Sequence, residues 1–235
     1  IADTTLKLKT IDLSSLDQLE KPVYGIVSAD IKLKGPLPEN GKGLPSGLKI
    51  DTAFDLENIS LPLDVKGKTV NAELGKLKGS ASLNNNQLQH DITAKLLGGN
   101  ASVKGSLGLK EMGVKTVDTN IGLEQIDLAW IQGIKKGDWI PASGKLAGQL
   151  KVKGPLTENN TNIKAAGTLT ASKLVLGTGE KKNTIETANL TLKDSSKDLT
   201  HALLELDAFK TAGLEFKKVQ TKFKINPKQI DLVEG

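Results

Sequence analysis

Gly144-Lys145-Leu146-Ala147-Gly148-Gln149-Leu150-Lys151-Val152-Lys153-Gly154-Pro155-Leu156 is the stretch that decides the fold class. Leu146, Gly148, Leu150 and Val152 fall on one side of a period of two, and Lys145, Ala147, Gln149, Lys151 and Lys153 on the other. Successive side chains of a strand point to opposite faces, so the segment presents one aliphatic face and one lysine-rich face. Gly154-Pro155 then closes it with turn chemistry. The same alternation sets Leu6 and Leu8 against Lys7 and Lys9, and Ile31 and Leu33 against Lys32 and Lys34. Val103, Gly105, Leu107 and Leu109 oppose Lys104, Ser106, Gly108 and Lys110, and Val219, Thr221, Phe223 and Ile225 oppose lysines and Gln220. Between such runs stand Gly35-Pro36, Asn40-Gly41, Asn84-Asn85-Asn86, Gly98-Gly99 and Asn159-Asn160. These connections are too short for helical crossovers, which predicts antiparallel meanders in an all-β fold.

Two stretches break the pattern. Leu13, Leu16 and Leu19, with Ser14 and Asp17 spaced as a capping box, predict a short helix over 14–21. Leu128, Ile131 and Ile134 predict another over 127–136, with Asp127 as its N-cap. Both are read as caps over local apolar surface. They also belong to a repeat. Ile11-Asp12-Leu13, a helix, a Gly-started strand and Lys34-Gly35-Pro36-Leu37 recur as Ile126-Asp127-Leu128, a helix, a Gly-started strand and Lys153-Gly154-Pro155-Leu156. A strand, a helix and a turn in one order imply a stacked unit of roughly 115 residues, of the kind that builds elongated repeat proteins. The expected division is 1–125 and 126–235, two units in one continuous sheet. Ile1 opens inside a strand-like pattern without Met, which reads as a segment of a longer chain.

Composition narrows the function classes. Aromatic residues are 3% of the chain and hydrophobic residues 37%, so the buried surface must be mostly Leu, Ile, Val and Ala. All 32 basic residues are lysine and the net charge is +5. Bidentate phosphate clamps and base readout favour arginine, and single strands need aromatic platforms, so no nucleic-acid partner is expected. The absence of cysteine removes disulfides and thiol chemistry. No run approaches the roughly 18 apolar residues of a membrane span.

No catalytic constellation emerges, and no cofactor or metal is expected. His90 and His201 stand apart in polar or mixed sequence and read as surface side chains. Gly67-Lys68-Thr69 lacks the first glycine of a phosphate loop, and Gly177-Thr178-Gly179 is a turn rather than a dinucleotide fingerprint. Asp51, Asp55 and Glu57 read as scattered outer-face charges rather than an acid–base pair.

The pattern Ile-Asp-Leu, short helix, Gly-x-Leu-x-Gly-x-Leu-x-Val-x-Gly-Pro-Leu resembles the C-terminal half of AsmA/TamB-type bacterial envelope proteins. So does Leu77-Lys78-Gly79-Ser80-Ala81-Ser82-Leu83 with the following Ala94 to Leu107 run, where Leu97 occupies that family's tyrosine position. The resemblance implies a sheet curled into an open, elongated trough. It further implies a periplasmic location with an inner-membrane anchor helix outside this chain, and a non-enzymatic role in passing phospholipid or another acyl-chain lipid between inner and outer membranes. Envelope proteins would meet either end. On this reading the groove is lined by Ile31, Leu33, Val103, Leu107, Leu109, Leu146, Leu150, Val152, Leu190 and Leu192, with Gly105, Gly148 and Gly167 leaving room for a tail. The rival readings are a structural β-sandwich whose apolar faces meet, and a chaperone for outer-membrane proteins that offers a strand edge to its clients.

Overall fold

A computed structural model describes residues 2–15, 24–37, 45–65, 68–110, 113–130, 140–156, 163–177, 182–193, 200–225 and 230–234, with the backbone alone at 61–65, 68–74, 200, 225 and 230–234. The fold is all-β and antiparallel, as the alternation predicts. Its strands are β1 (Ala2–Asp12), β2 (Tyr24–Gly35), β3 (Lys49–Val65), β4 (Lys68–Asn84), β5 (Gln87–Leu96), β6 (Gly99–Lys110) and β7 (Gly113–Asp127). They continue as β8 (Pro141–Pro155), β9 (Lys164–Leu176), β10 (Asn183–Lys193), β11 (Thr200–Thr211), β12 (Leu214–Ile225) and β13 (Ile230–Glu234). Each strand neighbours the next in sequence, and the order does not return from β13 to β1, so the sheet is not closed into a barrel.

Two compact units divide the chain. Unit 1 comprises 1–96, 101–120 and 154–156; unit 2 comprises 97–100, 121–153 and 157–235. The only helical element among the described residues is a 3-10 turn, Leu13–Ser15. Asp12, rather than the expected Ser14, caps it, accepting from the Ser14 amide at 2.9 Å and the Ser14 hydroxyl at 2.7 Å. The rest of that expected helix, 16–21, and residues 131–136 of the second lie outside the described residues.

The repeat is written into the backbone. Thr10 and Gln125, 115 positions apart, both adopt positive φ (49° and 54°), and so do Asn58 and Lys173 (54° and 51°), again 115 apart. Gly25 and Gly144 share φ near 140°. Asp127 repeats the role of Asp12, accepting from the Ala129 amide at 2.9 Å. At Thr10 the β1–β2 register slips between Leu8 and Ile11, which marks a bulge. An extra residue flips the alternation by one, so the residue after each of these positions returns to the aliphatic face. Those residues are Ile11, Ile59, Ile126 and Leu174, and the last three are among the most buried of the described residues, at 5%, 5% and 8% exposure.

Unit 2 packs a small core along the bulged ends of its strands. Leu128, Leu174, Leu176 and Ile185 form a buried cluster, against which Leu146, Ala171, Ala188, Leu206 and Phe209 pack. Lys145 Nζ reaches Asp127 Oδ2 at 2.9 Å and holds the start of β8 to the end of β7.

Candidate functional site: one aliphatic face in each unit

Register assembles single residues into rows. In unit 2, Leu146 stands opposite Ala171, Ala171 opposite Ala188, Ala188 opposite Leu206, and Leu206 opposite Val219. The next row on the same face is Gly148, Leu169, Leu190, Leu204 and Thr221, followed by Leu150, Gly167, Leu192, Ala202 and Phe223. Val152 extends the face opposite Ala165. Leu146, Leu150, Val152, Leu190 and Leu192, the candidates of this half, thus share one face across β8 to β12.

Unit 1 builds its face the same way. Thr4, Leu33, Ile50, Leu83 and Leu88 form one row, and Leu6, Ile31, Thr52, Ala81 and His90 the next. Ile31 and Leu33 therefore lie on this face. Lys104 pairs with Asp91 at 2.6 Å on the opposite side, which sets Val103, Leu107 and Leu109 on the face of His90. All ten candidate residues are half-buried, and among the described residues no side chain falls below 2% exposure. A sheet covered on one side by a second layer would hide such residues completely.

The glycines expected to make room for a tail do something else. A Cβ on Gly148 would sit 2.8 Å from the Leu169 Cα, and one on Gly167 would sit 2.9 Å from the Leu150 Cα. Both have φ above 140°, so glycine here lets neighbouring backbones close together in a conformation other residues rarely adopt. At Gly105 the vacant space belongs to Thr119, whose Cα would lie 2.6 Å from an added Cβ.

That vacancy accounts for His90, which is not the surface residue its polar neighbours suggested. Its Nε2 lies 3.3 Å from the buried Thr119 hydroxyl, and its Nδ1 is buried without a hydrogen-bond partner. Leu88, His90 and Ile92 alternate with Gln87, Gln89 and Asp91, so period two applied to this strand would have placed the ring on the aliphatic face.

The opposite faces are polar. In unit 1, Lys76 bridges Asp55 at 3.0 Å and Glu57 at 2.8 Å, and the Glu57 hydrogen bond, with that of Asp55, raises the Lys76 pKa. Asp51 accepts from Ser82. Glu57 and Asp51 thus make exposed polar contacts, whereas Asp55 Oδ1 is buried without a hydrogen-bond partner among the described residues. In unit 2, Thr170 donates to Asn189 at 2.8 Å and Gln220 to Glu205 at 3.0 Å. Among the described residues no cluster of three or more His, Asp or Glu is placed to hold a metal. No described helix is long and apolar enough to cross a membrane. A scan of family models, a search of curated proteins and a search of solved structures each found no match.

Proposed function

We propose that this chain is a non-enzymatic, AsmA/TamB-like segment of a bacterial envelope protein that shields lipid acyl chains along its aliphatic face. In that role it serves phospholipid transport across the periplasm between inner and outer membranes, tethered by an inner-membrane helix elsewhere in the protein. The observation that carries this reading is the half-buried state of all ten face residues, together with the continuous rows that join them across neighbouring strands. An acyl chain needs wall without directional contacts, and each CH₂ removed from water is worth about 0.8 kcal/mol. A wall of Leu, Val and Ala supplies many weak, equal contacts, which hold a tail while leaving it free to slide. The repeated backbone and the Gly-x-Leu strands support the family reading.

The test uses two neighbours on one strand. A photo-crosslinking residue at Leu150 faces the aliphatic side, and one at Gln149 faces the polar side. After irradiation in living Gram-negative cells, phospholipid adducts at Leu150 and none at Gln149 are expected by mass spectrometry. Protein-only adducts at both positions, or none at either, would sink the lipid-shielding reading and leave a structural role.

A further inference from the structure

Two strands of the chain carry nearly one sequence. β1 and the residue after it read Asp3-Thr4-Thr5-Leu6-Lys7-Leu8-Lys9-Thr10-Ile11-Asp12-Leu13, and β7 with its next residue reads Asp118-Thr119-Asn120-Ile121-Gly122-Leu123-Glu124-Gln125-Ile126-Asp127-Leu128. Six of these eleven positions are identical. Their settings differ. β7 lies between β6 and β8, whereas β1 ends the strand order, with β2 as its one neighbour among the described residues. Thr119 and Ile126 are each 5% exposed, while their counterparts Thr4 and Ile11 are exposed and half-buried. Leu6 is 52% exposed where its counterpart Ile121 is half-buried. β1 therefore presents the side chains of an interior strand at a sheet edge, and such an edge is a template for a further strand.

β6 shows what such an edge receives. Asn100 donates to Glu124 at 3.1 Å, which sets the register of β6 on β7. A Cβ on Gly99 would meet the Gln125 carbonyl carbon at 2.5 Å, and one on Gly105 the Thr119 Cα at 2.6 Å, so both places need glycine for the strands to close together. Gln125 and Thr119 correspond to Thr10 and Thr4, and Thr10 repeats the Gln125 bulge. A second copy of this chain does not supply the partner from β12. That strand, 115 positions after β6, carries Leu214 and Gln220 at the places of Gly99 and Gly105. Charge adds a further constraint. Lys9 and Lys7 stand where β7 has Glu124 and Gly122, the residues met by Asn100 and, two steps on, Ser102. We propose that the outer edge of β1 accepts, by strand addition, a β6-type strand of a further repeat unit. That strand has glycine at its first and seventh positions and carboxylates at its second and fourth, opposite Lys9 and Lys7. The proposal is independent of what lies along the aliphatic face.

The experiment offers the 235-residue chain two fluorescent peptides, one with the β6 sequence of residues 99–110 and one with Asn100→Glu and Ser102→Glu in that sequence. Anisotropy reads affinity, and a photo-crosslinking residue at the Val103 position of the peptide reads the place of binding. The diglutamate peptide should bind about fivefold more tightly at low salt, an advantage that shrinks as salt rises. Its adducts should map to residues 2–12. N-methylation of alternate peptide residues should abolish binding in one phase and spare it in the other, because strand addition uses one edge of the incoming strand. The Lys7→Glu/Lys9→Glu variant, whose folding is checked by urea denaturation, should prefer the unsubstituted peptide. Binding of neither peptide, adducts outside β1, or binding that survives N-methylation in both phases overturns the proposal. Equal affinity for the two peptides overturns the assignment of Lys7 and Lys9. Crosslinks joining two copies of the chain through β1 in place of the peptide would assign the edge to self-pairing and overturn the β6-type partner.

Discussion

Ile31, Thr52, Ala81 and His90 cross the aliphatic face of unit 1 in one row, and Leu150, Gly167, Leu192 and Ala202 cross that of unit 2. The two rows correspond, since Ile31 precedes Gly35 by the same four residues that separate Leu150 from Gly154. Where unit 1 places a threonine and a histidine, unit 2 places glycine and alanine. The bulges at Thr10 and Asn58 nevertheless recur at Gln125 and Lys173 with φ within 5°. The backbone frame is thus held by a few bulge and cap positions, while the lining between them varies. In these corresponding rows unit 1 carries a polar interruption where unit 2 has small residues.

The largest expected effect tests the frame. Ile59→Ala and Leu174→Ala each remove a side chain buried just beyond a bulge, at 5% and 8% exposure. Each should cost about 2–4 kcal/mol in urea denaturation. Ile31→Ala and Leu150→Ala, on the half-buried wall, should cost about 1 kcal/mol, because part of their surface already meets water. Equal losses at all four positions would mean that the wall is packed as tightly as the frame, which would break the distinction.

Exchanging residues between the corresponding rows sharpens it. Gly167→Thr should cost about 1–3 kcal/mol, since φ of +142° is strained for any side chain and the new Cβ meets Leu150 and Gln149 backbone. The reverse change, Thr52→Gly, should cost about 1 kcal/mol, through lost strand propensity alone. A Gly167→Thr variant as stable as wild type would show that the close approach of β8 and β9 relaxes readily.

Period two carried much of this architecture openly. Lys7 against Leu8, or Gln149 against Leu150, reports the face without further information, and the two Lys-Gly-Pro-Leu turns announce the repeat. The bulges were hidden because one inserted residue resembles a lapse in the pattern. At Thr10-Ile11 and Lys173-Leu174 only the register shows the alternation resuming one residue later. His90 was misplaced for another reason: polar sequence neighbours sit on the opposite face of a strand and say nothing about the residue between them. The basic row on the polar face of unit 2 escaped because rows are cross-strand objects. Lys193, His201 and Lys224 meet through register, not through spacing along the chain.

A smaller effect tests the polar interruption itself. Thr119→Val leaves His90 Nε2 without its 3.3 Å partner and should cost about 1–2 kcal/mol. Adding His90→Leu removes both the orphaned nitrogen and the buried Nδ1, and the double variant should return to within about 0.5 kcal/mol of wild type or exceed it. That variant makes the row of unit 1 resemble its counterpart in unit 2. A double variant less stable than Thr119→Val would mean that the ring packs in a way leucine cannot replace.

The smallest effect belongs to the paired caps. Asp127 accepts from the Ala129 amide and then from Lys145, and both hold its pKa below the ordinary 3.8. Asp12 is lowered by the Ser14 hydroxyl and then by the Ser14 amide. A carboxylate whose folded pKa is depressed stabilises the fold above its unfolded value, and that contribution disappears as pH falls through the folded pKa. Asp127→Ala should therefore be less stable than wild type at neutral pH, by only about 0.5 kcal/mol because the exposed pair is screened by solvent. The gap should close as the pH drops below about 4. Raising the salt separates the two caps: the Lys145 part of the Asp127 effect should shrink, whereas the Asp12 effect, which involves no cation, should hold. If both respond to salt alike, the ion pair adds nothing to the Asp127 cap, and the two ends of the repeat are held by the same Asx hydrogen bond.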